Sequence, residues 1–121
     1  MPADNDLNDH FANEWVSAWN SHNIDRIMSH YAEEIEFHSP LIVKLNINPE
    51  GTIKNKTDLK EYFLKGLTAY PGLHFNLHKV LSGKDSVVLY YESINQTMSA
   101  EFMQLNSDGK VTVVRAHYSS K

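Results

Sequence analysis

The hydrophobic period of the chain changes at Tyr31, and this change limits the possible folds more than any other feature. Before it, Leu7, Phe11, Trp15, Ala18 and Trp19 fall at helical spacing, which predicts an amphipathic helix over about 7–20. Asn20-Ser21-His22-Asn23 ends that helix and can cap the next. Ile24, Ile27, Met28 and Tyr31 repeat at i, i+3, i+4 and i+7, a second short helix. After Tyr31 the pattern alternates. Ile35, Phe37 and Ser39 share one face of a strand, and Glu34, Glu36 and His38 share the other.

Later segments repeat this contrast. Leu59, Tyr62, Phe63, Gly66, Leu67 and Tyr70 form one stripe of a helix over 55–70, which Pro71-Gly72 stops. Gly66 on that stripe predicts a close approach to the sheet. Residues 74–78, 86–94, 97–105 and 110–118 read as strands. Their turns are Ser82-Gly83-Lys84-Asp85, Asn95-Gln96 and Asn106-Ser107-Asp108-Gly109. Segment 40–54 admits two readings, a lid or a short extra strand with a turn. Helices on one face of a curved, mostly antiparallel sheet make an α+β fold, expected as one domain over 1–121.

The net charge of -4 and the scattered Lys and Arg residues argue against nucleic acid or an anionic membrane as partner. The chain has no cysteine, which excludes disulfides and thiolate chemistry. The first residues are polar and acidic, with no apolar run, so a cytoplasmic protein is expected. His74 and His78, among seven histidines, lie about 13 Å apart on a strand at ~3.3 Å per residue, too far to share a metal. No metal and no cofactor are expected.

Tyr31-Ala32-Glu33-Glu34-Ile35-Glu36-Phe37-His38-Ser39-Pro40 resembles the strand segment of ketosteroid isomerases and their relatives in the nuclear transport factor 2-like superfamily, which includes the SnoaL-like cyclases. Trp19-Asn20-Ser21-His22-Asn23-Ile24-Asp25, Ile53-Lys54-Asn55-Lys56 and Asp108-Gly109-Lys110-Val111 match further family segments in order. Relatives usually carry Gly where Asn55 stands, and Asn is the next-best residue for a left-handed backbone. The resemblance implies a cone-shaped half-barrel wrapped around three helices from the first half of the chain. It also implies a pocket between sheet and helices and, often, a dimer through the outer sheet face. In the isomerases the residue before the proline is the proton-moving aspartate; here it is Ser39, a poor base. Trp15 stands where they carry a carbonyl-polarising tyrosine. Glu101 stands where they hold a protonated aspartate.

Strand pairing gives an independent reason to place Glu101 inward. A four-residue loop at 106–109 sets Glu101 on a face with Met103, Leu105, Val114, Ala116 and Tyr118, where desolvation raises a carboxyl pKa. A two-residue turn at Asn95-Gln96 adds Tyr90 and Glu92 to that face. The catalytic candidates are therefore Glu101, Glu92 and His38, the last only if a twist at Pro40 turns it inward. The expected ligand-binding residues are Trp15, Ser39, Tyr31, Tyr62, Phe63, Tyr90, Met103 and Tyr118, around a small apolar molecule. Leu89, Tyr91, Met98, Phe102, Val111, Val113 and His117 would make the outer face apolar and favour a homodimer. Two functions follow: a SnoaL-like enzyme working by carboxylate proton transfer, with isomerase activity itself absent, or a dimeric ligand-binding protein without turnover.

Overall fold

The structure is a computed structural model and describes residues 2–119. The elements in order are α1 (Pro2–Ser21), α2 (Ile24–Met28), β1 (Tyr31–His38), α3 (Pro40–Lys44), β2 (Thr52–Ile53), α4 (Lys56–Ala69), β3 (Asn76–Gly83), β4 (Ser86–Glu92), β5 (Met98–Leu105) and β6 (Val111–Tyr118). The strands form one six-stranded sheet in the order β2-β1-β6-β5-β4-β3. Every pairing is antiparallel except β1 with β6. The sheet curves without closing, and the α+β half-barrel expected from the sequence is the observed architecture.

The helices bury the faces that their spacing marks. Ala12, Trp15, Ala18 and Trp19 of α1 are buried, as are Ile27 and Met28 of α2 and Leu59 and Phe63 of α4. Asn23 caps α2 by accepting from the backbone N–H groups of Asp25 and Arg26, and Asn55 caps α4 by accepting from that of Asp58. Asn55 is extended (φ -148), so its role is that cap and not a left-handed turn. α1 packs on β3, and α4 packs on β1.

Segment 40–54 contains both a helix and a strand. Ser39 Oγ accepts from the Leu41 backbone N–H at 3.2 Å, and Pro40 opens α3, where its missing N–H would be unpaired anyway. β2 then pairs with the end of β1, Phe37 opposite Ile53 and His38 opposite Thr52. Gly51 makes this return possible. Its φ is +74, and a Cβ there would meet Val43 Cγ2 at 3.2 Å. The close approach expected at Gly66 is not found. A Cβ there would meet nothing within 4 Å, so no close approach to the sheet requires it.

The β4–β5 connection changes the expected faces. Ser93 and Thr97 close the loop, with Asn95 and Gln96 both at positive φ. Glu92 pairs with Met98, Tyr91 with Ser99 and Leu89 with Glu101. This is one residue away from the register of a two-residue turn, and a one-residue slip exchanges the faces of a strand. Leu89 and Tyr91 therefore point inward and are buried. Tyr90 and Glu92, expected inside, lie on the outer face. Between β5 and β6, Glu101 pairs with Ala116 and Met103 with Val114, two residues from the expected register, which keeps the face. An irregularity at Gln104/Leu105 turns Val111 into the core, against its expected outward position. No helix among the described residues is long and apolar enough to cross a membrane.

Candidate functional site

Inside the half-barrel one carboxyl stands among aromatic rings. Glu101 is 4% exposed. The Tyr91 hydroxyl donates to its Oε1. Burial raises the Glu101 pKa to about 7, and the Tyr91 hydrogen bond opposes that rise only in part. The Glu101 side chain has no salt bridge among the described residues. Such a carboxyl is half neutral near pH 7 and can both give and take a proton there.

Four tyrosines feel this carboxyl. Burial holds the phenols of Tyr31, Tyr91 and Tyr118 above their ordinary pKa, and the Glu101 charge adds to the effect. Tyr62 is pushed up to about 12, by burial first. All four remain hydrogen-bond donors near neutral pH. Tyr118 Oη and Ser39 Oγ lie 3.4 Å apart, so Ser39 serves both the α3 cap and the inner cluster.

Trp15 Nε1 donates to the Tyr31 hydroxyl at 3.0 Å, and its ring stacks on Phe75 at 5.6 Å. Phe63 lies 4.7 Å from Trp19 and 5.4 Å from Tyr31, and Met103 is fully buried. Two polar atoms in this interior, Trp19 Nε1 and Ser99 Oγ, are buried without a hydrogen-bond partner. Both lie beside a phenol of the cluster, Trp19 beside Tyr31 and Ser99 beside Tyr91, close enough to ease its ionisation.

The structure thus gathers Glu101, Tyr31, Tyr118, Ser39, Tyr62, Trp15, Phe63 and Met103 around the interior, and leaves out three candidates. Glu92 sits on the outer face, 3.7 Å from His78 Nε2, and cannot form a pair with Glu101. Tyr90 is outside beside His78, its ring 6.0 Å away, and does not line the interior. His38 keeps the outward side of β1. Its Nε2 lies 3.1 Å from Glu36 Oε2, and its Nδ1 lies 2.9 Å from Thr52 Oγ1, a network that ties β2 to β1. The residue that sequence reasoning missed is Tyr91. Its signal was the Tyr90-Tyr91 pair, of which alternation sends one inward, and only the length of the next loop says which.

Two clefts open on the β2 side. One of about 750 Å³ lies between α4 and residues 47–55, with Glu36, His38, Thr52 and Tyr62 in its walls. The other, about 310 Å³, includes Ser39, Gly51, Arg115 and Ala116. Neither has Glu101 in its wall. Tyr62 and Ser39 are the inner-cluster residues that reach them.

A family model described as a SnoaL-like domain matches residues 12–117. A SnoaL-like protein of unknown function from Burkholderia thailandensis E264 is 34% identical, with a TM-score of 0.88 over 93% of this chain and 95% of that one. An NTF2-like protein of unknown function from Cytophaga hutchinsonii superposes with a TM-score of 0.71 at 15% identity, over 90% of this chain and 87% of that one. The epoxide hydrolase/cyclase-like enzyme SalBIII, of pyran ring formation in the polyether salinomycin, gives 0.76 at 17% identity, over 97% and 94%. No curated protein matches the chain by sequence. The matched span and the order of elements agree: the chain belongs to the SnoaL-like family.

Proposed function

We propose that the protein binds a small, neutral, apolar molecule inside the half-barrel and that Glu101 exchanges a proton with an oxygen-bearing group of it, a carbonyl or an epoxide. The observation that carries this reading is the Glu101 carboxyl, buried among aromatic rings and bonded to a single phenol, where burial pushes its pKa up to about 7. An environment that raises a carboxyl this far is how a fold sets up an acid that works near neutral pH. The likeness to an epoxide hydrolase/cyclase-like enzyme is compatible with that chemistry but concerns the fold alone. Ketosteroid isomerisation is not part of the proposal, because Ser39 stands where the isomerases carry their base.

Binding without turnover is the second reading, and one observation favours it. Trp15 is stacked on Phe75 and its N–H is engaged by Tyr31, so it holds no free donor to polarise the carbonyl of a bound molecule. α-Tetralone in D₂O separates the two readings. It is flat and apolar, and it has exchangeable hydrogens beside its carbonyl. The enzyme reading expects deuterium uptake above the buffer rate, with the Glu101 carboxyl donating to the carbonyl oxygen while solvent D₂O takes the α-hydrogen and returns a deuteron, and expects it to be lost in Glu101→Gln. Uptake unchanged in that variant refutes it, and binding without uptake leaves the second reading.

The outer sheet face supports a second copy of this chain as partner. Leu81 is 56% exposed and Tyr90 39%, and they share this face with Val88, Phe102 and Val113.

A further inference from the structure

We propose a second site, on the outward side of β1 and β2, in which Thr52, His38 and Glu36 hydrolyse a small, uncharged ester with Thr52 as the nucleophile. It is separate from the interior around Glu101 and does not rest on the reading of that carboxyl. The three side chains stand in series. Thr52 Oγ1 lies 2.9 Å from His38 Nδ1, and His38 Nε2 lies 3.1 Å from Glu36 Oε2. All three are in the wall of the cleft of about 750 Å³. A hydroxyl in bonding reach of an imidazole, itself oriented by a carboxylate, is the arrangement that activates an alcohol as nucleophile.

Local structure explains why they meet. Glu36 and His38 are two residues apart on β1 and share its outward side, and His38 stands directly opposite Thr52. The Thr52 backbone is held on both sides. Its carbonyl accepts from Asn48 Nδ2 at 2.9 Å, and the Gly51 carbonyl before it accepts from the Ser39 N–H at 3.0 Å. The ring proton follows from the partners. The ionised Glu36 carboxylate only accepts, so Nε2 carries the proton and donates it. Nδ1 then turns its lone pair to Thr52 and accepts from the hydroxyl, as a general base must.

The step balances with water as co-reactant. Thr52 Oγ1 bonds to the ester carbonyl carbon, and its proton passes to His38 Nδ1. The carbonyl electron pair moves onto the oxygen. Lys54 lines the same cleft and has no salt bridge among the described residues, so its ammonium is the charge offered to that oxyanion. The C–O bond to the alcohol then breaks, and Nδ1–H protonates the leaving oxygen. Water attacks the acyl-Thr52, returns a proton through Nδ1, and releases the carboxylic acid. Glu36, Glu50, Asp58 and Glu61 outnumber Lys54 and Lys65 around the cleft, which disfavours an anionic ester. Thr52 and His38 are the catalytic residues, and Glu36 is a positioning residue.

The test uses two probes. 4-Nitrophenyl butyrate reports turnover by release of 4-nitrophenolate. A fluorophosphonate leaves a stable phosphonyl group on the attacking oxygen as fluoride departs, and peptide mass spectrometry locates it. Wild-type protein should hydrolyse the ester above the buffer rate and carry the phosphonyl group on Thr52. Thr52→Ser, which keeps the hydroxyl, should retain both, and Thr52→Val should lose both. His38→Gln should slow turnover about 100-fold or more. Glu36→Gln should lower kcat at unchanged KM. Turnover no faster than buffer in wild type overturns the proposal. So does a phosphonyl group absent from residue 52 in both wild type and Thr52→Ser, a result that holds even if Thr52→Val fails to fold. Full turnover in Thr52→Val or His38→Gln overturns it as well, and an unchanged kcat in Glu36→Gln overturns the positioning role.

Discussion

Replacing Glu101 with Gln should make the protein more stable above neutral pH, and the gain can be worked out from the site. Burial raises the carboxyl midpoint from 4.5 to about 7. The folded state therefore holds its proton more tightly than the unfolded chain does. The sign follows from linkage: stability from this group is fully present below pH 4.5 and falls as pH rises towards 7, where it levels off. At about 1.4 kcal/mol per pH unit, the total loss is roughly 3 kcal/mol. Gln has the shape of the protonated acid and still accepts from Tyr91, but it carries no charge to bury. Urea unfolding of both proteins at intervals from pH 4.5 to 8.5 measures the effect. The difference in unfolding free energy should widen in favour of Glu101→Gln up to pH 7 and then stay constant. Two parallel stability curves would refute the reasoning, because they would mean that the carboxyl ionises inside the fold without penalty.

Two further outcomes test other parts of the structure. Ser39→Ala removes the α3 cap and the contact with Tyr118, and should lower stability by about 1 kcal/mol in thermal or urea unfolding; an unchanged protein would mean that α3 does not depend on this cap. Sedimentation at micromolar concentration should give twice the 13.9 kDa chain mass for the wild type and a monomer for Phe102→Glu, whereas a wild-type monomer would refute the outer-face dimer.

The sequence showed the fold because its two periods are clean. Helical spacing up to Tyr31 and alternation from Ile35 each reflect a single buried face, and burial follows them at Trp15, Ala18, Ile27, Ile35 and Phe37 though not at Leu7, which is 68% exposed. Its limits came from the loops. Whether Tyr90 or Tyr91 faces Glu101 depends on the residue count between Glu92 and Met98: Asn95 and Gln96 do form the expected tight turn, with the Thr97 N–H donating to the Ile94 carbonyl, but the Ser93 N–H also donates to the Thr97 carbonyl and shifts the strands by one residue. Glu92 was misplaced by the same slip. Glu101 survived because an error of two residues on the β6 side preserves the face. Ser39-Pro40 carried a helix-start signal, a capping hydroxyl before a proline, that the resemblance to a catalytic segment obscured. Val111 turned inward through an irregularity that alternation cannot foresee.

The central claim is that Glu101 is the acid of this interior, and its own titration tests this most directly. Carboxyl ¹³C labelling of glutamate, with Glu101→Gln to assign the signal, gives the midpoint in the folded protein by NMR. The expected midpoint is about 7, with the signal moving over the neutral range. A midpoint near 4.5, the ordinary value for a solvated glutamate, would contradict the account.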